Sequence, residues 1–541
     1  MLHTLPLEIL YMVAELLPWY TIRSMSQVST GLYTTLVPRL YESIRFRTGS
    51  EWALNDLDID LFFRRHGGLR TAQFLHHTKR IARFNRCVYY KTPRLPTVSH
   101  GYSILGSPHE PTAHEDFIAD LSAQLGRVFA LLNPDTLHLF CWYLGTCMPT
   151  GILDDNGYLI HHQKNLHRVS LITDGTCPHA GQSFRGLTEL TSLADIAWEG
   201  IRHRWEIDVL RICLQRNQTH LRKLQIGFLL CGTDCLTVPE LTQPWLGLPN
   251  EPYAPRPFLL LTSLSLSNVR FPGEVLNSAP TLSFQSLQEL RLLRCDNQLR
   301  FLWLLAQTDN PPPLKRLEVN SDLLHESDDR LVYMAIVELL LSLHGLQHLH
   351  IKLTNFPRLL PGLREAILRH QSSLRSFSFH ERQLIAVDEG GFFEDVRDVS
   401  PRWTRDIPQV IQHCALTAVG LCLTPLIAHN LFVHVAEHSS IQLLHIRFSG
   451  EERVHRNLRR EIMFELHKKG VQSHCARRHN REASTLYRIF SAFAWTAADQ
   501  RYVRSGPVNI EAREFVAFSQ WAFGATGLPA LQVLALGDFS H

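Results

Sequence analysis

Several signatures are missing from this sequence of 541 residues, and each absence removes a class of protein. Neither charge dominates: 54 Lys and Arg stand against 51 Asp and Glu, a formal net charge of +3, so overall charge selects no partner. There is no G-x-x-x-x-G-K phosphate loop, no G-x-S-x-G elbow and no H-E-x-x-H pair. A protein without catalytic residues or cofactor is expected. The eleven cysteines are odd in number and scattered, which excludes a disulfide framework and predicts free thiols in a reducing compartment. Cys231 and Cys235 lie four apart, and His474, Cys475 and His479 lie close together. Zinc needs four ligands in paired spacings, so no metal site is expected. Long apolar runs are also missing. The stretch 415–436 has no Asp, Glu, Lys or Arg, but Pro425, His429, Asn430 and His434 interrupt it, and no membrane span follows. Residues 1–20 carry Glu8 and Glu15 and lack the basic start of a secretory signal. The expected location is cytoplasmic, nuclear or both.

What is present begins with three short helical patterns in the first forty-four residues. Pro6 suits a helix start, because its missing N–H would be unpaired there anyway. Glu8 favours the positive helix end, and Ile9, Val13, Leu16 and Leu17 recur at helical spacing up to Pro18. Thr21 reads as the N-cap of a second helix carrying Ile22, Met25 and Val28, with Gly31 as its break. Leu32, Leu36 and Leu40 mark a third, which Pro38 should bend. Three such helices bury little surface by themselves and need a following domain or a partner.

These elements together resemble the F-box family: Leu5-Pro6-x-Glu8-Ile9-Leu10, Val13, Leu16-Leu17-Pro18, Ile22, Met25, Val28-Ser29 and Leu40-Tyr41-x-Ser43-Ile44. The sequence departs from the pattern at Thr21, where an acid is usual, and at Thr30-Gly31, where a basic residue is usual. The resemblance covers residues 4–44. It implies docking to the Skp-type adaptor of cullin–RING ubiquitin ligases, with Leu5, Pro6, Ile9, Leu10 and Val28 as contacts. The closing segment, Trp521 to Phe539, is similar to that of fungal F-box proteins with degenerate leucine-rich repeats.

Beyond residue 130 an L-x-x-L-x-L pattern recurs, as in Leu166-Val169-Leu171, Leu221-Leu224-Ile226, Leu261-Leu264-Leu266, Leu287-Leu290-Leu292 and Leu314-Leu317-Val319. It continues through Leu346-Leu349-Ile351, Leu374-Phe377-Phe379, Leu416-Val419-Leu421 and Ile441-Leu444-Ile446 to Leu531-Leu534-Leu536, with a partial copy at Leu137 and Leu139. From Leu264 the central residues step by 26, 27, 32, 28, 42 and 25, mostly near the leucine-rich-repeat period. Steps of 55 and 40 before Leu264, and of 90 at the end, imply degenerate or extended units. Helical stripes lie between the strands: Leu331, Met334, Val337 and Leu341; Leu360, Leu363, Ile367 and Leu368; Leu426, Leu431 and Val435. The expected fold class is α/β, a leucine-rich-repeat-like solenoid of parallel strands behind a three-helix F-box module. A doubly wound sheet would need longer apolar strands and a glycine-rich phosphate turn, and neither occurs.

This reading divides the chain into an F-box domain at 1–45, a basic connecting region at 46–130 and a repeat domain at 131–541. Insertions are expected near 380–410 and 450–525, the first an acidic mobile loop around Asp388, Glu389, Glu394 and Asp395. Alternate strand positions should face a target protein: Arg168, Lys223, Arg291, Arg316, Glu318, His348, His350, His380, His445 and Arg447. The row is polar and carries both charge signs, which suits specific hydrogen bonds to a protein. Two basic stretches, 61–109 without a single acid and 453–481 with nine Lys or Arg against two Glu, read as solvated surface. Their other use would be an acidic target segment or nucleic acid.

The expected function is the substrate-recognition subunit of a ubiquitin ligase, bridging adaptor and cullin to a target protein. The alternatives are a leucine-rich interaction scaffold outside any ligase and, less favoured, a nucleic-acid-associated protein.

Overall fold

The computed structural model describes residues 6–48, 74–85, 111–142, 148–173, 183–228, 258–271, 284–322, 330–354, 362–387, 392–397, 403–423, 425–447 and 508–536. The chain forms two compact units, Met1–Leu261 and Thr262–His541.

The first unit opens with helices α1 (Leu7–Leu16), α2 (Trp19–Ser26) and α3 (Thr30–Leu40). Pro6 and Pro18 stand immediately before α1 and α2, where a missing N–H costs nothing. Thr21 is therefore inside α2 and not its cap. Ser29 caps α3 by accepting the Leu32 N–H at 3.2 Å, so Gly31 lies in the first turn of α3 instead of breaking α2. Pro38 falls within α3. Leu10, Ala14, Ile22, Leu32 and Leu36 close a small core, with Leu17, Met25 and Leu40 packed against it.

Six parallel strands follow in simple order: β1 (Ser43–Thr48), β2 (Arg80–Asn85), β3 (Leu139–Trp142), β4 (Arg168–Ile172), β5 (Asp195–Ile201) and β6 (Lys223–Phe228). Parallel neighbours require a crossover. Helices α4 (Pro111–Phe129), α5 (Tyr158–His162) and α6 (Arg204–Asn217) lie in those crossovers. The ladder thus starts at Ser43, and the expected connecting region 46–130 contributes a strand and a helix. Glu42 fastens helices to ladder, its carbonyl accepting the N–H groups of Lys79 at 2.9 Å and Arg80 at 3.0 Å. The Thr78 hydroxyl donates to the Tyr41 carbonyl at 2.9 Å, and Phe74 packs between Tyr33 and Tyr41.

Strand β5 is a repeat that the leucine pattern does not reveal. Ile196 aligns with Val169 on one side and Leu224 on the other, so the interval of 55 resolves into two ordinary repeats. Its pattern, Leu193-Ile196-Trp198, puts indole where the repeats from β6 onward have a branched aliphatic side chain or Phe, as Trp142 does on β3.

The second unit holds β7 (Ser263–Ser267), β8 (Glu289–Leu293), β9 (Arg316–Asp322), β10 (His348–Thr354), β11 (Ser376–Val387), β13 (Ala418–Cys422), β14 (Leu443–Arg447) and β15 (Val533–Leu536), each parallel to the next. Strand β12 (Phe392–Arg397) runs antiparallel to the end of β11. The acidic insertion is therefore a hairpin where a mobile loop was expected, with Glu394 and Asp395 on β12; Asp388 and Glu389 lie outside the described residues. Its described residues also form helices α7 (Gln298–Ala306), α8 (Arg330–Ser342), α9 (Leu363–Leu368), α10 (Trp403–His413), α11 (Pro425–Val433) and α12 (Val508–Ala522). Helix α12 occupies part of the expected insertion 450–525, whose basic stretch lies outside the described residues.

Within each strand the period of two decides the packing. Leu349, Ile351 and Leu353 of β10 are buried, while His348, His350 and Lys352 alternate with them on the solvent side. Burying each aliphatic side chain contributes roughly 1.5–3 kcal/mol before the entropy of ordering is counted. Buried amides tie successive repeats together. Gln163 Oε1 accepts the Leu137 N–H at 2.8 Å, and Asn217 Oδ1 accepts the Leu193 N–H at 2.8 Å. Each amide accepts from a leucine one repeat earlier and shortly ahead of a strand.

The turn from β5 into α6 holds a buried polar network. Gly200 has φ +85°, and a Cβ there would sit 1.6 Å from the Thr173 carbonyl oxygen, so only glycine fits. Glu206 is fully buried and accepts the N–H groups of Arg202 at 2.7 Å and His203 at 2.8 Å. Burial still outweighs those bonds and pushes its carboxyl above the usual value. A raised folded-state value contributes stability that is full below the ordinary carboxylate range and is lost as pH rises through the raised value. Glu206→Gln keeps an acceptor for the two N–H groups and removes the titration. It is expected to flatten the stability of the first unit against pH across that window, read from urea unfolding at a series of pH values. An unchanged slope would contradict the assignment.

Candidate functional site

Two surfaces have the features of binding sites. The first is on the helical module. Ile9, Met12 and Leu16 are spaced to share one side of α1, and all are exposed, Leu16 to 86%. Trp19 and Tyr20 continue the apolar surface into α2, with the Arg23 guanidinium 5.5 Å from the Trp19 ring centre. Val28, after α2, is 75% exposed. Soluble monomers seldom expose so many large apolar side chains in so short a segment.

Of the five expected adaptor contacts, Pro6, Ile9 and Val28 are exposed, and Leu5 lies outside the described residues. Leu10 is buried in the core of the module, which corrects its expected role as a contact. It supports the surface from beneath. Leu7, Tyr11, Met12, Leu16, Trp19, Tyr20 and Tyr33 are exposed residues of the module that the expected contacts omitted.

The second surface is the solvent side of the strands in the second unit. Register places Ser263, Glu289, Arg316, His348 and Ser376 in one row across β7–β11. The next row is Ser265, Arg291, Glu318, His350 and Ser378. Opposite charges alternate within this lattice. Arg291 Nε is 3.0 Å from Glu289 and 3.5 Å from Glu318, and Arg316 reaches Glu289 at 3.1 Å. The Ser263 hydroxyl donates to Glu289 at 3.0 Å. Burial alone would raise the Glu289 carboxyl, but Arg291, the Ser263 hydroxyl and Arg316 outweigh it and hold the group below its usual value. Burial and then Arg316 push His348 down, against a smaller opposite pull from Glu289.

The structure brings Arg291, Arg316, Glu318, His348 and His350 together on this face, and His445 lies in the same row as His350. His380 does not belong with them: it is fully buried, which corrects its expected exposure. Its β11 segment continues past the neighbouring strands to Val387, a length that the leucine pattern does not signal. Arg447 ends β14, and its side chain lies outside the described residues. In the first unit Arg168 is 3.3 Å from Asp195, and Lys223 aligns with Asp195 on the following strand. Burial raises the Asp195 carboxyl, against the opposite pull of Arg168 and Lys223.

Among the described residues no group of three or more His, Cys, Asp or Glu could hold a metal ion. Cys231, Cys235, His474, Cys475 and His479 lie outside them. Cys141, Cys213, Cys295, Cys414 and Cys422 are buried and form no disulfide, and burial pushes the Cys213 and Cys295 thiols up to about 12. Such thiols are poor nucleophiles at neutral pH. No helix among the described residues is long and apolar enough to cross a membrane. A cleft lies between α4 and α5, where Phe129 and Tyr158 stack 4.8 Å apart, but His162 is the only charged or readily ionised side chain besides Tyr158 among its lining residues. No protein-family model matches the chain, and no curated protein matches it.

Proposed function

We propose that this chain is the substrate-recognition subunit of an SCF-type cullin–RING ubiquitin ligase. The F-box-like helices dock the Skp-type adaptor, and the polar strand face of the repeats holds the target protein. The observation that carries this reading is the apolar surface of α1 and α2. The module closes a core around Leu10, Ala14, Ile22, Leu32 and Leu36, yet leaves Ile9, Met12, Leu16, Trp19, Tyr20 and Val28 in solvent. A helix pair with that distribution fits a protein partner along its outer side.

The chain supplies no chemistry in this mechanism. It raises the local concentration of a target near the charged ubiquitin carrier. The bonds of Glu42, Tyr41 and Thr78 support the reading, because they fasten the docking helices to the first strands.

The test is recovery of the adaptor and cullin with the tagged chain from a fungal lysate, beside the double variant Pro6→Ala, Ile9→Asp. Ile9 is exposed, so aspartate there leaves the module folded. Wild type is expected to bring down both proteins and the variant neither. Absence of both from the folded wild type would exclude the ligase role and favour an interaction scaffold acting outside it.

A further inference from the structure

The first unit carries a row of exposed basic side chains at the N-terminal rim of its strands, where the fold asks for none. The residue just before each strand donates its N–H to the matching carbonyl one strand back. His138 donates to Lys79 at 2.7 Å, His167 to His138 at 3.0 Å, Ala194 to His167 at 2.8 Å and Arg222 to Ala194 at 2.8 Å. Lys79, His138, His167, Ala194 and Arg222 therefore stand side by side ahead of β2–β6. Lys79, His138 and His167 are all exposed. The matching bonds of the second unit run through Thr262, Gln288, Lys315, Gln347 and Arg375, so they do not require basic residues in succession.

The two imidazoles are held in place. The rings of His138 and His167 stack 5.6 Å apart, 5° from parallel. Nδ1 of His138 donates to the Asn165 carbonyl at 3.3 Å, and Nδ1 of His167 donates to the Ser192 carbonyl at 3.0 Å. A carbonyl oxygen only accepts, so Nδ1 carries a proton in each ring and Nε2 is the nitrogen left for a ligand. An anion beside Nε2 favours the protonated ring, in which Nε2 donates as well. The acids around the row are engaged elsewhere. Asp195 is 3.3 Å from Arg168, Glu42 is paired with Arg39 and Arg80, and Asp135 accepts the Lys164 N–H at 2.6 Å. Burial, then His76 and Lys79, hold His77 below its usual value, so positive charge gathers at this corner.

We infer that this rim receives an acidic protein segment, whose Asp or Glu side chains lie over Lys79, His138 and His167. The inference goes beyond the ligase reading and does not use the strand face assigned there to the target. Spacing decides which anion fits. Neighbouring strands lie about 4.8 Å apart, so the three residues span about 10 Å. Alternate side chains of an extended segment are about 6.6 Å apart, which sets two carboxylates along that length. A phosphoryl group is best held by convergent arginine forks, and the nearest arginines, Arg80 and Arg168, already hold Glu42 and Asp195. A nucleic-acid backbone needs a longer basic track, and Ala194 with Asp195 interrupts this one ahead of β5. Arg222 has other contacts and is not counted in the site.

The test is fluorescence anisotropy of a labelled hexaglutamate peptide with the full chain at low salt. Lys79→Glu is expected to bind it about tenfold more weakly than wild type, the loss of one charge-assisted contact. The double variant His138→Asn, His167→Asn keeps an amide donor for each carbonyl and removes both Nε2 atoms. It is expected to show a drop of about the same size. Lys315→Glu changes an exposed lysine at the matching place in the second unit and should leave the affinity unchanged. Circular dichroism checks that each variant is folded. Equal affinity for Lys79→Glu or for the histidine double variant would overturn the inference. So would tighter binding of a phosphoserine peptide or of oligothymidine that responds to the same variants, since phosphate or nucleic acid would then be the occupant. Adaptor recovery depends on α1 and α2, which these variants leave unchanged, so either proposal can fail while the other stands.

Discussion

Trp198→Ala is expected to destabilise the first unit by about 3–5 kcal/mol, the range for deleting a large aromatic side chain from a packed core. Trp198 is fully buried, and its ring centre lies 5.2 Å from that of Phe184. Its indole N–H donates to the Thr173 hydroxyl at 3.1 Å. That hydroxyl is also 3.1 Å from the Gly200 carbonyl and 3.4 Å from Glu206. Truncation would therefore open a cavity and disturb the network that starts α6. Trp198→Phe separates the two effects, because it retains most of the ring and loses only the donor. It should cost about 1–2 kcal/mol, the net worth of one buried hydrogen bond with some cavity. Denaturant unfolding followed by circular dichroism reads both variants. A loss below about 1 kcal/mol for the alanine would mean that β5 is not a core strand.

That prediction falls on a strand the sequence did not announce, and the reason is physical. Repeats such as Leu314-Leu317-Val319 are legible because an inward strand position admits only apolar groups and the period of two is rigid. The position needs a nonpolar shape, not leucine, and Trp198 satisfies it while breaking the written pattern. Strands β1 and β2 were hidden for another reason. Ser43 and Ile44 also read as the end of the F-box pattern, and Arg80-Ile81-Ala82-Arg83 offers little apolar signal.

The exposed apolar surface of the helical module shows the limit more sharply. Helix α1 reads LEILYMVAEL and is apolar on most of its circumference, so periodicity cannot say which side is the core. The contacts with α2 and α3 bury Leu10 and Ala14, leaving Ile9, Met12 and Leu16 outward. The strand face was legible as a set of polar positions from alternation alone. Its organisation was not, because pairing Arg291 with both Glu289 and Glu318 depends on strand register. The placement of His348 and Leu443 in one row depends on it too.

Asn217→Ala is expected to cost about 2–4 kcal/mol in the first unit, through polar groups left behind more than through lost packing. The amide Nδ2 donates to the carbonyls of Leu190 at 2.7 Å and Cys213 at 2.8 Å, while Oδ1 accepts the Leu193 N–H at 2.8 Å. Asn217 is fully buried, so alanine would strand the Leu193 donor and the Leu190 acceptor without water. Asn217→Asp tests the direction of the bonds. A carboxylate could still accept from Leu193 but would face two carbonyl oxygens with no proton to offer, so it should cost at least as much as alanine at neutral pH. Below the carboxylate range the protonated acid regains one donor, and part of the loss should be recovered. Urea unfolding of both variants at neutral and acidic pH decides it. If the aspartate variant were as stable as wild type at neutral pH, Asn217 would not be the donor to Leu190 and Cys213. The tie between β5 and the repeat after it would then rest on the backbone ladder to β6 and on side-chain packing.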